Sequence, residues 1–305
     1  MQSVVTYIRN PKKLLSAMVV KLNWLFPDAL YLKIRYYLYF GKRLNLKAPK
    51  TFSEKIQWLK LYNRKPEYTM MVDKYAVKKY VKSIIGEKYI IPTLGVWNSF
   101  DDIDFDSLPD KFVLKTTNGG GSTGVLLCKN KRSFNKGKAR QILELSLKRN
   151  IYDTFREWPY KNVHPQILAE ELLEFPDNTD LYDYKFFCFN GEPQYCQVIS
   201  GRNDVMSIDF FDKSWIHQPF HEPKDYPFAQ TEPAKPVRYE LMVSLARQLA
   251  KDIPFVRIDF YNLNGNIYFG EITFFPTSGF GGFMPEKWDE KFGEMIEIDA
   301  NLWKR

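Results

Sequence analysis

Apolar positions in the amino-terminal region recur at helical spacing. Thr51 and Glu54 form a capping-box pattern ahead of Ile56 and Leu59, which would lie on one helix face. A second helical stretch, VDKYAVKKYVKSI, runs towards Gly86, where a helix can end. The extended segment IIPTLGVW and an acidic stretch rich in turns come next, so we expect helices to precede the first strands.

From residue 111 the pattern becomes strand, glycine-rich loop, strand and helix, written KFVLK, TTNGGGST, GVLLCK and residues 138–148. After residue 165, short apolar and aromatic strands dominate. A helix with an apolar stripe from Leu241 to Leu249 then precedes two strands, VRIDFY and IYFGEITFF, joined at residues 263–266. These patterns predict an α+β fold whose second half is largely antiparallel sheet.

Charge is distributed unevenly along the chain. Residues 1–65 hold fourteen Lys and Arg against Asp28 and Glu54, a net charge of +12, and the remainder carries −4. A basic block of this kind suggests an anionic partner, either an acidic polymer or the cytoplasmic leaflet of a membrane. A solvated helical face is the alternative, and we expect no nucleic acid to bind.

The cysteines and the first apolar stretch indicate the cellular compartment of the protein. Three cysteines without paired spacing favour free thiols and a reducing compartment. The stretch LLSAMVVKLNWLF is interrupted by Lys21 and lacks a small-residue cleavage site, which disfavours a signal peptide or a membrane-spanning helix. We expect a cytoplasmic protein, soluble or peripheral at the inner face of the plasma membrane.

The glycine-rich loop is the first candidate site. Lys115 ends a predicted strand and is followed by Gly119, Gly120, Gly121 and Ser122. Backbone N–H groups of such a loop can close over phosphates, with the lysine as a fixed positive charge beneath them. A Walker A loop places its lysine after the glycines, so a P-loop NTPase is disfavoured. A flexible hairpin with a surface lysine is the alternative.

The last predicted hairpin carries the second candidate site. Asp259 and Glu271 lie on its two strands, and Arg257 points to the same face as Asp259 because it is two residues away. Two such carboxylates can hold Mg²⁺ that bridges nucleotide phosphates, and the arginine suits a phosphoryl group or an oxyanion. An exposed, salt-bridged hairpin face is the alternative.

The segment ILAEELLEFPD, residues 167–177, is a weaker third signal. An apolar strand that runs into acids can form an adenine slot. Backbone groups from Glu171 to Leu173 would pair with the base edge, and an acid would accept the ribose hydroxyls.

Taken in order, these segments resemble an ATP-grasp enzyme. The RID and GEI strands are similar to those of D-alanine–D-alanine ligases, which carry Arg-x-Asp and then Glu-x-Asn, although Thr273 stands here where the asparagine would be. A closer resemblance, over nearly the whole chain, is to the TupA-like ATP-grasp family. Its motifs are KAPKTFSEKIQWLKLYNRKP, VDKYAVKKYV, IIPTLGVW, LKTTNGGGS, DYKFFCFNGEP and GEITFFPTSGFGG.

The resemblance implies two α+β subdomains that clasp ATP, behind a basic helical extension. It divides the chain at 1–65, 66–110, 111–166 with the glycine-rich flap, and 167–305 with the metal site. The implied phosphate ligands are Lys115, Lys185, Ser122 and the loop glycines, and the implied adenine and ribose ligands are Glu170, Glu171, Leu173, Glu174 and Asp177. The implied Mg²⁺ ligands are Asp259, Glu271 and Thr273, and Arg257 would stabilise an acyl phosphate.

The implied activity is ATP-dependent ligation of a carboxylate to an amine. The family's context implies a uronic acid of a surface polysaccharide or an acidic peptide as acceptor, and an amino acid or simple amine as donor. Two alternatives remain: a sugar or lipid kinase that uses the same ATP site, and a glycosyltransferase or glycan-binding protein of the same pathway.

Overall fold

A computed structural model describes residues 11–121, 123–174, 181–201, 205–222 and 226–299. Its helices in these ranges are α1 (Pro11–Lys21), α2 (Asp28–Phe40), α3 (Phe52–Tyr62), α4 (Glu67–Val72), α5 (Ala76–Ile84), α6 (Lys136–Leu147), α7 (Ile151–Phe155), α8 (Tyr239–Ala250) and α9 (Lys287–Glu294). Its strands are β1 (Thr93–Trp97), β2 (Phe112–Thr116), β3 (Val125–Cys128), β4 (Ile167–Glu171), β5 (Asp183–Phe189), β6 (Glu192–Ser200), β7 (Ser207–Asp212), β8 (Phe255–Leu263) and β9 (Asn266–Thr273).

The first sheet has the strand order β1-β4-β2-β3, and its neighbours are antiparallel. Helix α6 covers one face and buries Ala139 and Leu143 against Phe112 and Leu114 of β2. The predicted division at residue 166 falls just before β4, which pairs with β1 and β2 in this sheet. We therefore propose that the first lobe extends to the end of β4.

The second sheet has the order β7-β6-β5-β8-β9 and is antiparallel throughout. Helix α8 packs on β5, β6 and β8 through the predicted stripe, in which Met242, Leu245 and Leu249 are buried. The β8–β9 hairpin turns between Leu263 and Asn266, as the sequence predicts. The α+β fold with an antiparallel second half is confirmed.

The amino-terminal helices belong to the core of the second lobe. Phe52 of α3 packs edge-on against Phe255, Phe283 and Phe292. The predicted capping box is present: the Glu54 N–H donates to Thr51 Oγ1 at 3.2 Å, and the Glu54 carboxylate accepts from the Thr51 N–H. Residues 52–62 are thus part of the folded core rather than an appended segment.

The predicted helix over VDKYAVKKYVKSI is shorter than expected. The helix starts only at Ala76. Asp73 Oδ1 accepts hydrogen bonds from the N–H groups of Tyr75 and Ala76, both at 2.8 Å, and this cap separates α5 from α4. Asp73 is a helix-capping residue type, so this break had a sequence signal. Among the described residues, the helices are too short or too polar to cross a membrane.

Candidate functional site

Charged side chains form a row on the second sheet, from its middle strand β5 to its edge strand β9. Lys185 on β5 lies opposite Asp259 on β8, and Asp259 lies opposite Glu271 on β9. Directly paired residues on adjacent strands point to the same face, so the three side chains converge there. Arg257 and Thr273 form a neighbouring pair on the same strands. We call these five residues the second-sheet cluster.

Arg257 ties the second-sheet cluster together. Its guanidinium donates to both oxygens of Asp259 at 2.7 and 2.8 Å, and Nη2 also lies 3.1 Å from Glu271 Oε1 and 3.2 Å from Thr273 Oγ1. Lys185 Nζ lies 2.5 Å from the same Asp259 carboxylate. Asp259 is therefore held by two cations and is 6% exposed, whereas Glu271 is 27% exposed.

Electrostatics keep this cluster charged. Burial alone would raise the pKa of Glu271, but the charges of Lys74, Lys185 and Arg257 lower it to about 2. Burial alone would lower the pKa of Arg257, but Asp259 and Glu271 raise it. Glu271 is thus an ionised carboxylate at any physiological pH, as a ligand for a hard cation must be.

The first sheet presents a second charged group, which we call the first-sheet cluster: Lys78, Lys115 and Glu170. Glu170 on β4 is buried and forms ion pairs with Lys115 of β2 and with Lys78 of α5, the latter at 2.6 Å. Lys78 Nζ also donates to Ile91 O and Thr93 Oγ1, both at 2.7 Å. Lys78 is therefore anchored to the fold from several sides, while Glu170 positions Lys115.

The glycine loop has a fixed base and an open tip. Asn118 Nδ2 donates to Arg149 O at 2.8 Å, and Gly119 is buried. Gly124, with φ of 72°, has no room for a side chain, because a Cβ there would lie 2.3 Å from Ser146 Oγ. Gly121 at the tip is exposed, and Ser122 lies outside the described residues. The base of the loop is thus held by the fold, while Gly121 is open to solvent.

Lys74 connects the two sheets, and the sequence analysis missed it. Its Nζ donates to the carbonyl of Gly119 in the loop and lies 4.0 Å from Glu271 Oε2 in the second sheet. Burial lowers the pKa of Lys74, and Glu271 opposes that shift. Lys74 and Lys78 lie within VDKYAVKKYV, but helical spacing alone does not distinguish them from the other lysines of that segment.

The predicted adenine segment lies at the end of β4. Glu171 is exposed there, and its N–H donates to Pro92 O at 3.2 Å. Leu173 and Glu174 are half-buried, and Glu174 forms an ion pair with Lys111 at 2.6 Å. Asp177 lies outside the described residues. The side chain of Glu170 faces the lysines, so Glu171 and Leu173 carry the accessible part of this segment.

A buried cation supports the turn that follows β9. Lys60 of α3 donates to Gln57 Oε1 at 3.0 Å, Phe155 O at 2.9 Å and Ser278 O at 2.7 Å. Burial lowers the pKa of Lys60, although the Glu157 carboxylate opposes that shift. Three acceptors require three N–H donors, which the ammonium form alone supplies.

The turn itself, residues 276–279, adopts an unusual backbone. Thr277 and Ser278 have φ values of 48° and 56°, in the left-handed region that a β-branched residue rarely occupies. Glu157 Oε1 accepts from Ser278 Oγ at 2.5 Å and, with Lys60, holds the turn from below. Local sequence pattern did not predict the roles of Lys60 and Glu157, since the contacts of Lys60 with Phe155 and Ser278 and of Glu157 with Ser278 each span more than 90 positions.

Lys74 lies near Lys115 and Glu170 of the first-sheet cluster and near Glu271 of the second-sheet cluster, and we call the region that these residues line the cleft. Five cations there, from Lys74, Lys78, Lys115, Lys185 and Arg257, are paired with three carboxylates, from Glu170, Asp259 and Glu271. Among these eight residues two positive charges are left over, which suits a polyanion. Adjacent carboxylates with the Thr273 hydroxyl are hard oxygen donors of the kind that Mg²⁺ prefers. The residues therefore fit a phosphate-bound cation.

Comparison with known proteins places these features in context. Among solved structures, the chain is similar to D-alanine–D-alanine ligase from Bacillus anthracis, with 18% identity and a TM-score of 0.39 over 67% of this chain and 57% of that one. It is also similar to D-alanine–D-alanine ligase from Helicobacter pylori, with 16% identity and a TM-score of 0.40 over 82% of this chain and 70% of that one. A third similar structure is an ADP complex of N5-carboxyaminoimidazole ribonucleotide synthetase, with 12% identity and a TM-score of 0.41 over 72% of this chain and 50% of that one. The chain spans less than two thirds of the length of the Bacillus anthracis ligase.

A search of curated protein sequences gives no match. The family model described as TupA-like ATPgrasp matches residues 54–297. This range includes both sheets, the glycine loop and the charged residues of the cleft. The chain therefore belongs to the TupA-like ATP-grasp family and has the ATP-grasp fold.

Proposed function

We propose that the cleft binds ATP with Mg²⁺ and that the protein is an ADP-forming ligase that joins a carboxylate to an amine. The excess of positive charge in the cleft, placed beneath a glycine flap and beside a carboxylate that remains ionised, carries the proposal. Family membership supports the same nucleotide chemistry.

In this proposal Lys115 and Lys185 contact the ATP phosphates, and Lys74 joins them from between the sheets. The N–H groups of Gly119, Gly120 and Gly121 cover the same phosphates. These lysines are 9–13% exposed, so their charges act in a poorly solvated cleft where Coulomb interactions are stronger than in water. Ser122 would close the flap.

Asp259 and Glu271 would hold Mg²⁺, with Thr273 as a further oxygen donor. When bound, the metal would neutralise phosphate charge during transfer of the γ-phosphoryl group. Glu271 is the more accessible ligand, because Asp259 is engaged by two cations. Binding of a metal would therefore exchange part of the Asp259 ion pairing for coordination.

Arg257 would stabilise the acyl phosphate and the tetrahedral state that forms when the amine attacks. Its planar guanidinium already spans Asp259, Glu271 and Thr273, and such a fork can hold two oxygens of a phosphoryl or carboxyl group. Activation by phosphate divides amide formation into two easier steps, because phosphate is a good leaving group.

For the nucleoside we propose adenine at Glu171 and the Leu173 backbone, with Glu174 or Asp177 at the ribose. Glu170 would act through Lys115 rather than on the base, because its carboxylate is enclosed by two lysines. To bind a ribose, Glu174 would have to break its exposed ion pair with Lys111, and the loss of such a pair costs little free energy.

We propose a uronic acid of a surface polysaccharide, or an acidic peptide, as the carboxylate acceptor, and an amino acid or simple amine as the donor. The resemblance to the TupA-like family, which implies a role in capsule, O-antigen or teichuronopeptide biosynthesis, supports this choice. Residues 1–65 would contact an anionic membrane or polymer at the inner face of the plasma membrane, and their charge of +12 supports that contact.

The test is an ADP-release screen of the purified full chain with uronic acids and acidic peptides against the amino acids, followed by mass analysis of the products. We expect ADP release that requires a carboxylate and an amine together, and a product lighter than their sum by one water. ADP release with a sugar that lacks a carboxylate, independent of any amine, would overturn ligation in favour of a kinase.

A further inference from the structure

The outward face of α1 and of the turn after it is apolar and exposed to solvent. Six large side chains there are between 38% and 74% exposed: Leu14, Leu15, Met18, Leu22, Trp24 and Leu25. Single exposed hydrophobic residues are ordinary, but a contiguous apolar patch marks an interaction surface. Trp24 is the extreme case at 74%.

Helical spacing places these residues together. Leu14, Met18 and Leu22 follow each other at intervals of four and so share one face, with Leu15 beside them. Helix α1 contacts α2, and its Val19, about 100° around the helix from Met18, is 5% exposed. The protein core therefore covers one side of α1 and leaves the side that carries Leu14, Met18 and Leu22 in solvent.

Lysines border the apolar face. Lys12 and Lys21 are exposed and lie three helical positions from Leu15 and Met18 of this face, and Lys33 on the neighbouring helix α2 is exposed three positions from the exposed Leu30. Long lysine side chains beside leucines and a tryptophan are typical of a helix that lies in the headgroup region of a bilayer.

The combination of apolar side chains and lysines on one surface favours some binding partners over others. A soluble acidic polymer would be attracted by the lysines alone and would leave the leucines in water. A second copy of the chain would bring two basic surfaces together and cost repulsion. An anionic bilayer satisfies both the apolar side chains and the lysines.

We propose that the face formed by Leu14, Leu15, Met18, Leu22, Trp24 and Leu25 seats the protein on an anionic phospholipid bilayer. Helix α1 has 11 residues, too few to span a bilayer, so it would lie in the interface. This inference narrows the proposed contact of residues 1–65 to one surface and one partner. It does not depend on ligase activity.

The experiment is co-sedimentation of the full chain with phosphatidylcholine vesicles, with or without about one third phosphatidylglycerol. We expect binding to the anionic vesicles that weakens as salt rises. Met18→Ser with Trp24→Ser should weaken it about tenfold or more, because two large apolar side chains no longer leave water. The matched control, Leu145→Ser with Val237→Ser, changes two similarly exposed residues elsewhere and should bind normally.

Charge is tested separately. Lys12→Gln, Lys21→Gln and Lys33→Gln together should weaken binding to anionic vesicles, whereas Lys129→Gln, Lys138→Gln and Lys148→Gln, exposed on the first lobe, should not. All variants should keep the wild-type melting temperature, because the altered side chains are exposed.

Three results would overturn the proposal. The first is equal binding by the Met18/Trp24 variant and its control. The second is binding to soluble polyglutamate that the three lysine changes abolish, without binding to vesicles. The third is a dimer in sedimentation equilibrium that the Met18/Trp24 variant dissociates.

Discussion

The two charged clusters of the cleft are built in opposite ways. In the first-sheet cluster, Lys78 and Lys115 enclose the carboxylate of Glu170, which is 4% exposed and cannot reach a ligand. In the second-sheet cluster the cations gather on Asp259 and leave Glu271 at the surface of the cleft. The first-sheet cluster therefore presents positive charge to a ligand, and the second-sheet cluster presents a carboxylate.

This difference indicates the kind of ligand that satisfies both clusters. An anion alone would complement the first sheet and be repelled by Glu271, and a free cation would face Lys115 and Lys74. A polyphosphate that carries a divalent cation has negative charge for one side and positive charge for the other. The division of charge thus supports a metal–nucleotide complex independently of the motif resemblance.

The largest expected effect is at Glu271, the accessible carboxylate. Glu271→Gln removes the anionic ligand while keeping the shape of the side chain, so Mg²⁺-dependent turnover should fall about a thousandfold or more. ADP release measured as Mg²⁺ is varied checks this. Glu192→Gln, which alters a surface ion pair with Arg247, is the control and should leave turnover unchanged. Normal turnover of Glu271→Gln with Mg²⁺ as the sole metal would refute the metal assignment.

Arg257→Lys should have the next largest effect. Lysine preserves the charge but cannot span Asp259 and Glu271 with a planar fork, so turnover should fall about 10- to 100-fold while ATP affinity stays near the wild-type value. Single-turnover ADP release and calorimetric ATP titration separate the two quantities. An unchanged rate of the chemical step would show that Arg257 only stabilises the contact between β8 and β9.

The two lysines that share Glu170 sharpen the comparison. Lys115→Ala should weaken Mg²⁺–ATP binding roughly 10- to 100-fold, since a charge-assisted phosphate contact is lost. Lys78→Ala should mainly lower the free energy of unfolding, because Lys78 also bonds to Ile91 and Thr93. Calorimetry measures the ATP affinity of both variants and urea unfolding measures their stability, so together they test whether Lys115 serves the nucleotide and Lys78 the fold. Equal loss of ATP affinity in the two variants would show that both lysines serve the nucleotide.

The sequence predicted the parts of this site that local pattern controls. The hairpin that carries Asp259 and Glu271 was predictable, but the turn and strand alternation alone would pair Asp259 with Gly270. A register shift between Asp259 and Phe260 brings Glu271 opposite Asp259 instead. The capping box at Thr51 and the apolar stripe of α8 were predictable from local pattern. Each depends on residues close in sequence.

Long-range burial was not predictable in this way. Lys60, Lys74 and Glu157 are buried by segments distant in the chain, and no local periodicity distinguishes them from solvated charges. Glu170 was expected at the adenine edge, but alternation along β4 turns its side chain towards Lys115. The separation of roles between Lys78 and Lys115 likewise required the three-dimensional contacts.

The smallest expected effect concerns the stability that Glu271 contributes. Its pKa is lowered from 4.5 to about 2 in the folded chain, so the unfolded state takes up the proton first as pH falls. The contribution is complete above about pH 5 and should shrink by roughly 2 kcal/mol between pH 6 and pH 3. Urea unfolding of the wild type and of Glu271→Gln across this range measures it, because the difference between their unfolding free energies removes the titration of all other groups. The same difference for Glu192→Gln should remain nearly flat, since exposed ion pairs contribute little. Parallel stability curves for the wild type and Glu271→Gln would mean that Lys74, Lys185 and Arg257 do not favour the ionised form of Glu271, and the contrast between the two clusters would then fail.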